Sequence, residues 1–140
     1  MQPAQISNPP RDHASRLDAP GYKLSIGIRD KLISGNVMLR WHWRKRNAHQ
    51  KRVIRDIGWL VAGEHLPDAP LLKSKVHLLA SLPQLMDLDN LYTGAKPYVD
   101  ALYRNNIIAD DAVRYISLEV EQRRSSEAYV LITVTALPVG

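Results

Sequence analysis

Between Lys73 and Leu82 the chain alternates so regularly that only an extended backbone gathers its apolar residues on one side. Val76, Leu78, Ala80 and Leu82 fall together, Lys75, His77 and Ser81 lie opposite, and Pro83 ends the run. Period-two alternation marks a strand with one covered face, which needs partner strands and a layer above it. Tyr22 to Ile28 repeats the pattern, with Tyr22, Leu24, Ile26 and Ile28 set against Lys23, Ser25 and Gly27. Val113 to Arg123 and Glu127 to Ala136 supply two more strands. The short polar link Arg124-Ser125-Ser126 between them predicts an antiparallel hairpin.

The covering layer comes from two helical stripes. Val53, Ile54, Ile57, Leu60 and Val61 recur at helical spacing, with Asn47 placed to cap the helix and Gly63 to stop it. Tyr98, Ala101 and Leu102 form the second stripe. Gly94 and Pro97 disfavour a helix interior, so this helix is expected to start only at Lys96 or Pro97 and to break at Asn105-Asn106. The expectation is one domain over residues 21–140, of α/β (α+β) class: a mixed sheet of about four strands with two principal helices. Met1 to Pro20 places four prolines among polar residues and reads as a flexible arm.

At 140 residues the chain is long enough for one real core. It has no cysteine, which excludes disulfides and zinc-thiolate sites. No run is long and apolar enough for a membrane span and the N-terminus lacks a signal-peptide core, so a soluble, cytoplasmic protein is expected. The formal charge of +5 favours an anionic partner, nucleic acid before a membrane surface. The cations concentrate in Val37 to Arg46, V-M-L-R-W-H-W-R-K-R, where Arg40, Arg44, Lys45 and Arg46 interleave with Trp41 and Trp43; Lys51 and Arg52 follow. Cations among aromatics suit a phosphate backbone with stacking on exposed bases. The competing reading is a core tryptophan beside a solvated helix start. His42 has no second histidine at metal spacing.

Against this basic background, acidic residues cluster between Met86 and Asp111. Asp87 and Asp89 alternate, and Asp110 and Asp111 are adjacent. If the segment around Leu88 is extended, both carboxylates of Asp87 and Asp89 converge, and Ile107-Ile108 would enter the core and return Asp110-Asp111 to the same point. Converging carboxylates repel unless a cation lies between them, and hard oxygen ligands select Mg²⁺ or Mn²⁺. Such a cation polarises a phosphodiester, generates hydroxide near neutral pH and stabilises the leaving oxygen. Lys96, near the expected helix start, could neutralise charge on the phosphorus centre. Asp110 and Asn90 then fall outside the ligand set, as supporting groups. The alternative is that D-x-D-N caps a helix while Asp110-Asp111 makes a turn. An EF-hand is excluded, since its loop would require an oxygen ligand at Leu91 and a glycine at Tyr92.

Asp87-Leu88-Asp89-Asn90-Leu91, then a lysine, then Asp100-Ala101-Leu102, then Ile107-Ile108-Ala109-Asp110-Asp111 resembles the signature of RusA-type Holliday junction resolvases, small metal-dependent endonucleases common in phages. Asn36 to Trp43, N-x-x-L-R-x-H-W, is similar to that family's basic segment. The resemblance spans Tyr22 to the last strands. It implies that Asp87, Asp89 and Asp111 bind the catalytic metal, that Lys96 is the essential lysine, and that a homodimer cuts four-way DNA junctions in recombination and repair. One departure is that Thr93 stands where the family's lysine usually lies. Lys96 keeps the spacing to Asp100 and is aligned instead, with Tyr92-Thr93-Gly94 as a short insertion that Gly94 would absorb. Two other classes share parts of this pattern: a catalytically silent DNA-binding protein, and a small metal-dependent phosphoesterase.

Overall fold

The computed structural model describes residues 21–112 and 114–139. The arm expected over Met1–Pro20 lies outside the described residues. The elements run β1 (Lys23–Ile28), α1 (Gly35–Arg40), α2 (Trp43–Val61), β2 (Ser74–Leu82), α3 (Leu88–Arg104), β3 (Ile116–Arg124) and β4 (Tyr129–Ala136). They form a single α+β domain with one mixed four-stranded sheet in the order β1-β4-β2-β3. The alternating residues of β1, β2 and β4 face the helices, and Leu24, Ile26, Val76, Leu78, Ala80, Val130, Ile132 and Val134 are all buried. The opposite face is mainly polar, carrying Lys75, His77, Glu119, Glu121 and Thr133 beside the half-buried pair Leu79 and Leu131.

The two C-terminal strands are present but do not form a hairpin. β3 pairs with β2 in parallel, while β4 lies between β1 and β2 and is antiparallel to both. Composition explains the order. β4 reads YVLITVTA without a charge and takes a central position, whereas β3 reads ISLEVEQRR and takes the edge. Residues 125–128 cross the end of β2, where the Ser125 amide bonds the Leu82 carbonyl at 2.8 Å. The unit β2–α3–β3 is a parallel crossover, so α3 runs back along the sheet and its two ends sit at opposite ends of the strands.

Helix boundaries also differ from expectation. Ser34-Gly35-Asn36, turn-like in composition, is the start of α1, with the Ser34 hydroxyl accepting the Val37 amide at 3.2 Å. α2 starts at Trp43, capped by His42, whose Nδ1 accepts the Arg44 amide at 3.2 Å; Asn47 is already inside the helix. α3 starts at Leu88, not Lys96, and continues through Gly94 and Pro97. Packing overrides local propensity there: Leu91, Ala95, Tyr98, Val99, Ala101 and Leu102 are all buried. The Gln50 side chain donates to the Pro97 carbonyl at 3.2 Å.

Gly94 lies inside the helix. It lets the Leu32-Ile33 segment cross α3 at close range, because a Cβ at this position would overlap the Ile33 carbonyl oxygen and the Leu32 side chain. Alanine normally improves a helix interior by roughly 0.5–1 kcal/mol over glycine. Gly94→Ala should nonetheless destabilise the protein by about 1–3 kcal/mol, because the obstacle is backbone. Urea denaturation measures this; an unchanged midpoint would mean that the 32–33 segment steps aside freely.

Candidate functional site

Asp87 is the N-cap of α3, with φ −63° and ψ 151°, and Asp89 lies in the first helical turn. The extended D-x-D segment expected from the sequence is therefore a helix start. An aspartate at an N-cap ordinarily accepts a first-turn amide. Asp87 makes no such bond, so its carboxylate remains uncommitted at the positive end of the helix dipole. Asp89 and Asp87 are both exposed. Asn90 caps a different helix: its Oδ1 accepts the Asn36 amide at 3.0 Å, tying α1 to α3. Two residues 54 positions apart, each within a motif, thus meet.

Asp110 and Asp111 do not return to this place. The Leu71 amide bonds the Ile107 carbonyl at 3.0 Å, the Ala109 amide bonds the Leu71 carbonyl at 2.9 Å, and the Ser74 amide bonds the Tyr115 carbonyl at 3.0 Å. These bonds hold Ile107, Ala109 and Tyr115 beside the start of β2, whereas Asp87 follows its end. The 17-residue helix α3 separates the two places by about 25 Å. Asp110 closes a local turn, its Oδ1 accepting the Ala112 amide at 3.0 Å. Asp111 is exposed. Ile107 and Ile108 do enter the core, as expected, but they anchor the far end of the crossover.

The expected trio of Asp87, Asp89 and Asp111 is therefore not assembled within one chain. Hard oxygen donors at Asp87 and Asp89 suit a divalent cation, but Asp111 of the same chain cannot join them. Among the described residues, the one trio of metal-type side chains with ligand atoms within 4.8 Å of one another is His77, Glu119 and Glu121, on the open sheet face. Those carboxylates already have partners: Glu121 lies 3.3 Å from His77 Nε2 and Glu119 lies 3.7 Å from Lys75 Nζ. They read as cross-strand polar pairs.

Lys96 projects from α3 seven residues beyond Asp89, about 10.5 Å along the axis. It lines a cavity of about 220 Å³ with Gly35, Met38, Leu39, Arg46 and His49. Arg40, Arg44, Lys45, Arg46 and Lys51 are all exposed, and none pairs with a carboxylate among the described residues. The two tryptophans divide. Trp41 is half-buried, with Lys45 Nζ 4.5 Å from its ring centroid and the His49 ring edge-on at 5.5 Å. Trp43 is 55% exposed, with the Arg44 guanidinium 5.4 Å from its centroid. Of the two, Trp43 offers the more open ring.

Arg52 is not part of that surface. Its guanidinium bonds Asp30 at 3.0 Å and Asp56 at 2.9 Å. The Tyr98 hydroxyl donates to the same Asp30 oxygen at 2.6 Å. Burial first, and then Asp30, push the Tyr98 hydroxyl far above its usual pKa. Burial pulls the Arg52 pKa down, but its bonds and charge contact with Asp30 prevail and raise it. Burial and then the Arg52 charge hold His49 below the usual histidine range, favouring its neutral ring. The sequence singled out neither Asp30 nor Tyr98 for this role. In the sequence Tyr98 is one position of an apolar stripe, and nothing marks Asp30 as its partner.

Comparison with known proteins adds no assignment: no family model matches the chain, and no curated protein matches it. No helix among the described residues is long and apolar enough to cross a membrane.

Proposed function

We propose that the protein is a divalent-metal-dependent endodeoxyribonuclease that cuts branched DNA, with four-way junctions as the substrate. The observation that carries this reading is Asp87, an N-cap residue that caps nothing and stands beside a second unpartnered carboxylate, Asp89, in a chain of net charge +5. Elsewhere, Asp30, Asp56, Asp100 and Glu119 each lie opposite a cation. Leaving two neighbouring carboxylates unmatched in a basic protein costs stability through repulsion, which a bound cation reverses. The unpaired cations of α1 and of the start of α2 suit a phosphate backbone recognised by shape.

The third carboxylate has to come from a second chain. A twofold axis perpendicular to α3 and near its midpoint sets each helix start against the partner's 110–111 turn, and twofold dimers are the commonest oligomers. Asp87 and Asp89 of one chain with Asp111 of the other would then hold the cation, which supplies Lewis-acid polarisation of the scissile phosphate when bound. Lys96, on the same helix as the aspartate pair, holds a neighbouring phosphate. Two such sites related by the twofold match the two strands that must be nicked to resolve a junction.

The test is cleavage of a labelled four-way junction beside linear duplex of the same sequence, with Mg²⁺ and with chelator. Symmetric, Mg²⁺-dependent nicks confined to the junction, lost in Asp89→Asn while binding persists, are expected. Junction binding without cutting by the wild type in Mg²⁺ or Mn²⁺ would instead favour a silent binding protein. Metal-dependent hydrolysis of small phosphate esters with salt-insensitive, weak DNA affinity would favour the phosphoesterase.

A further inference from the structure

The cavity at Lys96 has a composition that a backbone-tracking surface does not need. Its floor is Thr93, Lys96 and Pro97 on α3, and Met38 and Leu39 wall one side from α1. Arg46 on α2 joins Lys96 as the second cation around it. Leu39, an apolar side chain among Arg40, Arg44 and Arg46, is 70% exposed. A phosphate alone would be served by the cations, and apolar walls would add nothing to its binding. An apolar slot flanked by two cations fits a group that is flat and apolar on its faces and anionic at one end.

We propose that this cavity takes one unstacked nucleobase of the bound DNA, with that nucleotide's phosphate on Arg46 and Lys96; the inference rests on the DNA-cleaving reading above. At about 220 Å³ the cavity falls below the roughly 300–1,000 Å³ of ordinary cofactor sites, so it suits a single ring system. Its position fits as well. Thr93, on its floor, is one helical turn from Asp89, about 6 Å along α3, so the nucleotide held here adjoins the one facing the carboxylate pair. A base leaves the stack most cheaply where pairing is already disturbed, and a junction provides that at its branch point. Base capture beside the scissile position would give the protein a local preference for which phosphate it cuts.

The test uses the full chain in chelator, where no cutting occurs, and junctions carrying 2-aminopurine at successive positions around the branch point. This base brightens when it leaves the stack; Met38 and Leu39 are aliphatic, and His49 is the one ring among the lining residues. Brightening at one position, abolished in Leu39→Asp and reduced in Leu39→Ala, with junction affinity about tenfold weaker in Leu39→Asp, is the expected result. Leu39 is largely exposed, so neither variant disturbs the core. Tight junction binding with no bright position, or with brightening unchanged in Leu39→Asp, overturns the base site and leaves the DNA reading standing. No junction binding at any salt concentration overturns both.

Discussion

Mixing Asp89→Asn chains with Asp111→Asn chains should restore junction nicking that neither variant has alone. Each homodimer lacks one carboxylate in both of its sites and should lose at least about 10²-fold in cleavage rate, the scale on which a preorganised electrostatic group acts. A mixed dimer is different. One site joins the intact Asp87-Asp89 pair of the second chain to the intact Asp111 of the first, while the other site collects both lesions. Random subunit exchange makes half of the dimers mixed, so about a quarter of wild-type sites return. The control is Asp87→Asn mixed with Asp89→Asn. Both lesions lie at the same helix start, so every site keeps one defect and nothing returns. If each chain built its own site, the first mixture would also stay inactive, because one chain lacks Asp89 and the other lacks Asp111. That outcome would sink the cross-chain arrangement. The prediction follows from α3, whose 17 residues hold the two acidic motifs apart in any single chain.

The acidic motifs were legible in the sequence, but their distance was not. Linear order places Asp89 and Asp111 close, and Ile107-Ile108 suggested a return to the same point. Two facts that periodicity cannot supply reverse this. α3 begins at Leu88 and not at Pro97, so it is long enough to span the sheet, and β3 pairs in parallel with β2, so the chain must travel back before the strand starts. The helix start was hidden by Gly94 and Pro97, which are costly residues by local propensity. Gly94 is required by the Ile33 backbone crossing over it, a contact made by a segment 61 positions earlier. Strand positions fared better because alternation is local: all four were readable to within a few residues. Strand order carried a weaker signal that lay in charge, since the uncharged β4 belongs in the centre and the charged β3 at an edge. The basic segment was also legible as a group. The assignment of Arg52 to it failed because an unpaired arginine and one bonded to two aspartates look alike in a sequence.

That arginine leads to the largest expected effect on stability, at Asp30. One oxygen of Asp30 accepts both the Tyr98 hydroxyl at 2.6 Å and Arg52 Nη2 at 3.0 Å, with the Asp30 side chain 16% exposed. Asp30→Ala therefore leaves a fully buried tyrosine hydroxyl without its acceptor and Arg52 with Asp56 as its one carboxylate. An unsatisfied buried hydroxyl costs about 1–3 kcal/mol. Losing one member of a fully buried ion pair costs about 3–5 kcal/mol, to be discounted here because the Arg52 side chain is 35% exposed and water replaces part of the lost contact. About 3 kcal/mol in total, or a fall in Tm of roughly 10 °C, is expected. Tyr98→Phe removes the donor instead and should cost only about 1 kcal/mol, since Asp30 keeps Arg52. In the Tyr98→Phe background, Asp30→Ala no longer orphans a hydroxyl, so its cost should shrink by about 1–2 kcal/mol. Urea denaturation of the four proteins closes this cycle, and strictly additive losses would refute the coupling. The consequence reaches the candidate site. Asp30 precedes α1, Arg52 belongs to α2 and Tyr98 to α3, so one carboxylate fixes the three helices that carry Leu39, Arg46 and Lys96. Asp30→Ala should therefore weaken junction binding even below its melting temperature, although neither of its two side-chain partners is among the residues proposed to touch DNA.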